Sequence, residues 1–475
     1  MNPWWRAAAA GTDPVAWVAA DRALRSRASY DLGYRPQTLD DVAHGAIDDK
    51  LVVLRGPRRV GKSVLLKDTA ASLCERGDVS PFQVIFLPTD GMNAADIGRA
   101  FIQGRALTQS VNPAARVWLL DEVTGIRGWT EQVKFSREHT DVGDDTVVCT
   151  GSSWHSDADV ERDVFAGRAG TRSRLRSRML HPMSFRDVLR TTKPDLTVPA
   201  PVEPWDLQGQ TAREVAKSLA YEASDLDLAW QAYLECGGFP RAVAEYTQEG
   251  AVSDSFLMDL EAWLHQDVDP GAAPDSVPRL LTELAVRSTS PLNKTSSAED
   301  LGYPNRAAFE TRLERLVASF ACIWCPQISD DGNPIPAAQA KLYLTDPLLS
   351  WLGPRLHAGL GDPDTSQLSE TALAVSLART VDSFQHGRWA AGDAIGYVRT
   401  GSGREVDLGP VPVPSGGGTQ HTTPIESKWV DNKWRSEAKV IEGRFGRGLL
   451  ATKTITDLDN PAWAIPAPVA ALLLS

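Results

Sequence analysis

No run of about 18 apolar residues occurs in the 475-residue chain, so no membrane-spanning helix is expected. An excess of positive charge is also missing. Forty-nine Lys and Arg stand against 61 Asp and Glu, a formal net charge of −12, which argues against nucleic-acid binding through overall charge and leaves only a local basic patch for it. Cysteine is scarce: Cys74, Cys149, Cys236, Cys322 and Cys325 are scattered and mostly within apolar runs, as suits reduced thiols in a cytoplasm. Cys322 and Cys325 form a lone C-x-x-C without a second ligand pair nearby, so a strand FACIWCP is favoured over zinc. The opening MNPWWRAAAAGTD has no apolar core of signal-peptide length, and no internal repeat is found. With 42% hydrophobic and 23% charged residues, the chain reads as ordinary globular protein, long enough for about two to four domains.

What is present is concentrated at 51–63, LVVLRGPRRVGKS. The strand-like run Leu51–Leu54 abuts Gly56–Ser63, which fits G-x-x-x-x-G-K-[ST]. Glycines there let the backbone approach a phosphate, a lysine reaches the β- and γ-phosphates, and a hydroxyl holds Mg²⁺. These are Gly56, Gly61, Lys62 and Ser63, with Pro57, Arg58, Arg59 and Val60 completing the loop. The following VLLKDTAASLCERG has helical apolar spacing. A nucleoside triphosphate, ATP with Mg²⁺, is the expected cofactor.

Residues 116–122, RVWLLDE, form an apolar strand that ends in two acids. Asp121 is placed for the Mg²⁺ or its water shell, and Glu122 for polarising the attacking water; a strand that merely ends in acids is the plain alternative. The strand-like 145–153, DTVVCTGSS, ends in small polar residues, of which Thr150 and Ser152 are candidates to sense the γ-phosphate. Gly167 to Arg178 holds five arginines and no acid. Extended, it would carry Arg172, Arg174, Arg176 and Arg178 on one face, for a nucleic-acid backbone, for a neighbouring subunit's site, or as a solvated basic edge.

Around these motifs the pattern predicts an amphipathic helix over 12–28 in an N-terminal extension, 1–30. Strands at 51–55, 83–88, 116–120 and 145–150 alternate with helical stretches, so an α/β domain over 31–190 is expected, a parallel sheet with helices on both faces. One strand candidate, 83–88, separates the two nucleotide motifs in sequence. Residues 191–206 hold four prolines and read as a linker or an extended crossing segment. A helical region, 207–270, precedes three short helical patterns, strand-like ACIWCPQI, a turn and KLYLTD, which describe a winged helix over 271–355. The last unit, 366–475, reads as a helix at 369–384 and strands near 394–400, 404–409, 423–429 and 447–452.

With these residues in place the chain resembles the prokaryotic AAA-like ATPases that carry a C-terminal restriction-endonuclease-like domain of unknown function. The resemblance rests on GPRRVGKS (56–63), WLLDEV (118–123), CTGSS (149–153), FAGR (165–168), HPMSF (181–185), GGFPRAV (237–243), KLYLTD (341–346), REVDLG (404–409) and PIESKW (424–429), in family order. It implies a P-loop NTPase core, with Arg168 among the nucleotide-binding residues, a helical and winged-helix middle, and a C-terminal α/β nuclease-like end. The first thirty residues and the run 172–178 lie outside these motifs.

The nuclease pattern is a carboxylate on one strand and Glu-x-Lys on the next. Asp407 and Glu426 would share Mg²⁺, and Lys428, two residues from Glu426, faces the same way on a strand and would help position the nucleophile. Glu370 resembles the family's additional acid at this ion, and Glu405 is expected on the opposite face from Asp407. Two readings follow. In the first, ATP hydrolysis through Lys62 and Glu122 rearranges the winged-helix and nuclease-like modules on DNA or RNA, with Asp407, Glu426 and Lys428 carrying any cleavage. In the second, the chain is a nucleotide-dependent switch, alone, as a homo-oligomer or with a protein partner, and its nuclease-like domain binds without cutting. The winged-helix segment offers Asn305, Arg306, Arg312 and Arg315 beside Glu299, Asp300, Glu310 and Glu314, a near-neutral and therefore poor major-groove reader. A metabolite kinase is disfavoured, because no lid or acceptor site is visible.

Overall fold

Four apolar runs of five or six residues, β1 (Leu51–Arg55), β2 (Val84–Pro88), β3 (Val117–Asp121) and β4 (Thr146–Gly151), build the centre of the first unit. With the short β5 (Ser177–Met179) they form one parallel sheet in the order β2-β3-β4-β1-β5. Every residue of β1 and β4 is buried, as a parallel sheet covered on both faces requires. β4 pairs with both β1 and β3, so it is the strand that separates the two motif strands in space. β2, which separates them in sequence, lies at the sheet edge.

The computed structural model describes residues 2–36, 51–111, 115–153, 177–196, 198–385, 387–400, 403–432 and 434–474, and the chain divides into two units, Met1–His181 and Pro182–Ser475. The edge strand β2 is covered by the N-terminal residues. Trp4 and Trp5 each donate their Nε1–H to the Val84 carbonyl, at 2.8 and 3.1 Å, and Asn2 Oδ1 accepts the Phe86 amide at 3.1 Å. Such cover removes an exposed pairing edge. The single helix expected over 12–28 is instead a 3₁₀ turn, Ala16–Ala19, and a separate helix, Arg22–Ala28. Asp21 makes the break: its carboxylate caps the second helix at the Ala23 and Leu24 amides and binds Lys67 Nζ at 2.8 Å.

In the second unit the helix Phe185–Thr192, which begins within the expected nucleotide domain, packs Phe185 edge-on against Trp230 at 4.9 Å. The proline-rich 191–206 crosses the unit and bonds to it: the Val202 amide donates to the Leu473 carbonyl and the Pro204 carbonyl accepts the Thr423 amide, at 2.9 and 2.8 Å. Helices Ser276–Arg287, Lys294–Asp300 and Arg306–Ala318 precede an antiparallel pair, β6 (Cys322–Pro326) and β7 (Ala340–Leu344). Cys322 and Cys325 are buried, free thiols on β6.

After the largely buried helix Thr365–Phe384, β8 (Val398–Arg399) pairs antiparallel with β9 (Glu405–Val406). A hairpin of β10 (Pro412–Ser415) and β11 (Gly418–His421) intervenes. Then β12 (Ile425–Ser427), β13 (Gly448–Thr452) and β14 (Ala462–Pro466) form a parallel sheet, with the helix Arg435–Phe445 between β12 and β13 and an antiparallel bridge from Leu408 to Ile425. The closing APVAALLL is a fully buried helix; β14 and this helix were absent from the sequence reading. Among the described residues no helix is long and apolar enough to cross a membrane.

Candidate nucleotide site and a buried carboxylate cluster

The loop from Gly56 to Gly61 joins β1 to the 14-residue helix Lys62–Glu75. Gly61 (φ 104°) and Arg59 (φ 67°) take left-handed backbone. At Gly56 the need for glycine is steric, since a Cβ would lie 2.1 Å from the Leu180 carbonyl oxygen. Val60 turns its side chain into a small core with Leu54, Leu65 and Leu180, leaving its backbone as the part available to a phosphate. Arg58 is half-buried and Arg59 exposed. Lys62 is buried, and its ammonium donates to the Gly56 and Pro57 carbonyls at 2.8 Å each.

The strand ends meet beside it. Burial pushes the Asp121 carboxyl above its ordinary range, opposed by hydrogen bonds from the Ser63 and Thr150 hydroxyls. Thr150 Oγ1 donates to Asp121 Oδ1 at 2.8 Å and accepts the Glu122 amide at 3.0 Å. Glu122, in left-handed backbone (φ 64°), accepts at one oxygen both the amide and the hydroxyl of Ser152, at 2.9 and 2.5 Å. Ser63, Asp121, Glu122, Thr150 and Ser152 therefore form one connected network. Thr89 was missed: its amide and hydroxyl hold the Asp121 carbonyl at 3.1 and 2.8 Å, and its only signal was a small polar residue just past a strand. Arg168, Arg172, Arg174 and Arg176 lie outside the described residues. Arg178 is on β5, in register with Leu54.

The acids of the second unit also converge, but around a lysine. Lys341, on β7 and fully buried, places Nζ 2.9 Å from Asp407 Oδ1, 3.4 Å from Glu370 Oε1 and 3.6 Å from Glu405 Oε2. Tyr343, two residues along the strand, donates its hydroxyl to the same Glu370 oxygen at 2.7 Å. Asp407 Oδ2 accepts the Ser427 amide at 3.0 Å and Glu426 Oε2 accepts the Asp407 amide at 3.2 Å. Lys428 Nζ stands 3.0 Å from Glu426 Oε1. Burial, then the Asp407 charge, push Glu370 up to about 7 and Glu426 up to about 8. Burial works to lower the Lys341 pKa, but Asp407 and Glu370 outweigh it and hold the group well above its ordinary value.

Two expectations change here. Among the described residues no three His, Cys, Asp or Glu side chains are grouped as a metal site; Glu370, Asp407 and Glu426 come together, but an ammonium stands where Glu370 meets Asp407. Glu405 does not face away from Asp407. β9 ends at Val406, so strict alternation has lapsed by Asp407, and both acids reach Lys341. The available signal was a lone charge in the otherwise apolar strand AKLYL.

A buried acid, Asp346, follows two residues beyond that strand. Asp346 Oδ2 accepts the Gly238 amide at 2.8 Å and Oδ1 the Leu348 amide at 3.0 Å, while burial pushes its carboxyl up to about 6. Gly237 (φ 67°) packs so closely that a Cβ would lie 2.0 Å from Asp346 Oδ1, and the Gly238 carbonyl accepts the Met183 amide at 2.6 Å. The basic residues that the winged-helix segment offers are engaged within the unit. Arg306 and Lys294 pair with Glu310 at 2.9 and 3.0 Å, Arg312 with Asp269 at 2.9 Å, and Arg315 donates to the Val268 carbonyl at 3.0 Å. Asn305 caps its helix at the Ala308 amide.

Residues 227–353 match a domain of unknown function, DUF8612, and no curated protein sequence matches the chain. Among solved structures, the Walker-type ATPase PABY2304 of Pyrococcus abyssi is similar at 13% identity over 68% of this chain and 96% of its own, with a TM-score of 0.41. The RuvB Holliday junction branch migration motor of Thermotoga maritima aligns at 14% identity over 61% and 87%, with a TM-score of 0.30. The DNA clamp loader delta protein of Bacillus subtilis aligns at 8% over 59% and 86%, with a TM-score of 0.26. At such scores none of the three bears on what this chain binds or does. Residues 48–189 match the AAA domain family, and the parallel five-stranded sheet with its glycine-lysine loop agrees with that match.

Proposed function

We propose that the chain binds and hydrolyses ATP with Mg²⁺, and that its nucleotide state switches a second unit of winged-helix and nuclease-like architecture that binds a nucleic acid or a protein partner. The observation that carries the hydrolysis reading is the Ser152–Glu122 and Thr150–Asp121 network at the ends of β3 and β4. A strand that merely ended in acids would leave them in solvent. The residues suit the absent group: an ammonium inside the loop, a hydroxyl on a buried carboxylate, and a helix N-terminus behind both. Bound Mg²⁺ would draw charge off the β- and γ-phosphates. Lys62 would exchange its loop carbonyls for phosphate oxygens, Ser63 and Asp121 would hold the ion, and Glu122 would orient a water and take its proton. Arg58, Arg59 and the backbone of Pro57 and Val60 would line the phosphate loop.

For the second unit, helices followed by the β6–β7 pair support the winged-helix reading. The antiparallel-then-parallel order of 394–466 supports the nuclease-like one. Binding without cleavage is favoured over catalysis by Asp407, Glu426 and Lys428, because Lys341 already engages Asp407 and Glu370. ATP turnover with and without single- and double-stranded DNA tests the switch. Stimulation by DNA identifies nucleic acid as the partner, and indifference to DNA moves that role to a protein. No turnover under either condition contradicts the proposal.

A further inference from the structure

The cation of the carboxylate cluster belongs to the chain. Lys341 comes from β7, whereas Glu370 stands on the helix Thr365–Phe384 and Glu405 and Asp407 stand at and just beyond β9. Its ammonium has three donors, and three carboxylates surround it at 2.9, 3.4 and 3.6 Å. The other oxygen of Asp407 and both oxygens of Glu426 are occupied too: the Ser427 amide faces Asp407 Oδ2, the Asp407 amide faces Glu426 Oε2, and Lys428 faces Glu426 Oε1. Tyr343 adds a hydroxyl to the Glu370 oxygen that Lys341 approaches.

A divalent ion requires several open oxygen ligands in a close shell. Here each oxygen of Asp407 and Glu426 already faces an N–H donor, and a dication beside them would lie against a buried ammonium with no solvent to screen the repulsion. The residues therefore do not suit a metal. We propose that Lys341 replaces the divalent cation of this site: its ammonium bridges Glu370, Glu405 and Asp407, fastens the β6–β7 pair to the C-terminal fold, and keeps Mg²⁺ and Mn²⁺ out. The lysine acts as a structural cation, and the β7 strand that delivers it joins the two halves of the unit. The inference rests on this geometry alone and stands apart from the ATPase reading.

Mn²⁺ binding to the full-length, nucleotide-free protein, followed by electron paramagnetic resonance, tests it. All variants carry Asp121→Asn, so that the phosphate loop contributes no ion of its own. The expected result is no bound Mn²⁺ at millimolar metal, with or without Asp407→Asn. Lys341→Met is expected to open one Mn²⁺ site, to melt lower without metal, to recover with it, and to lose the site again when Asp407→Asn is added. One Mn²⁺ bound by the chain with Lys341 intact and lost with Asp407→Asn overturns the proposal, as does a folded Lys341→Met protein that binds none. If Lys341→Met does not fold, the comparison with and without Asp407→Asn decides the matter.

Discussion

Ser152 holds one oxygen of Glu122 with both its amide and its hydroxyl, and Glu122 sits in backbone that non-glycine residues rarely adopt. A carboxylate restrained in this way presents its other oxygen in a fixed direction, which is what orienting a water requires. Replacing Ser152 by Ala keeps the amide and removes the hydroxyl, a loss worth about 1–3 kcal/mol for a bond to a charged group. Steady-state kinetics is expected to show kcat down by about tenfold or more with ATP affinity retained; a rise in kcat would make the contact a brake instead. At this scale the nucleotide residues were legible because their chemistry is local: Gly56 to Ser63 is one continuous loop, and Asp121-Glu122 closes one strand. Thr89 and Lys341 were not, because their meaning comes from neighbours 32 and 66 residues away in sequence.

Elements are joined by side chains that the sequence shows only as isolated motifs. HPMSF, GGFPRAV and KLYLTD converge on Asp346, whose two oxygens accept the Gly238 and Leu348 amides. Asp346→Asn would turn an amide N–H toward one of these donors, so urea unfolding is expected to show a loss of about 1–3 kcal/mol. The pH dependence follows from burial, which raises this carboxyl from 3.8 to about 6. The folded state then holds the proton more tightly than the unfolded one, and the contribution to stability is full below about pH 4 and is lost as pH rises through about 6. The stability of wild type relative to Asp346→Asn should therefore fall as pH rises over that window and be flat above it. The tryptophans at the sheet edge give a second test. Trp4 is 2% exposed and bonded to β2, so Trp4→Ala is expected to cost about 3–5 kcal/mol in the first unit, whereas a loosely attached N-terminal extension would lose almost nothing. The sequence marked β1 to β4 well, since buried parallel strands are continuous apolar runs. It misjudged 12–28 because the Asp21 cap, a three-dimensional contact to Lys67 included, divides the apolar spacing.

Over the whole molecule, a P-loop domain that matches the AAA family shares the chain with a unit whose acids carry their own cation. The sequence told these apart only through order of motifs. A carboxylate and Glu-x-Lys nineteen residues on are the same letters whether they surround a metal or an ammonium, and only the placement of β7 distinguishes the two. Likewise Arg306, Arg312 and Arg315 read as available cations until their bonds to Glu310, Asp269 and the Val268 carbonyl are seen. On the proposed reading, this unit holds a shape rather than cuts, and the nucleotide state is what would change that shape. The most direct test is ATP turnover and nucleotide binding measured together on wild type, Glu122→Gln and Lys62→Ala. The account predicts that Glu122→Gln retains ATP while turnover falls by about 10²–10⁴, and that Lys62→Ala loses both. Turnover unchanged in Glu122→Gln, or undetectable in the wild type, would contradict it.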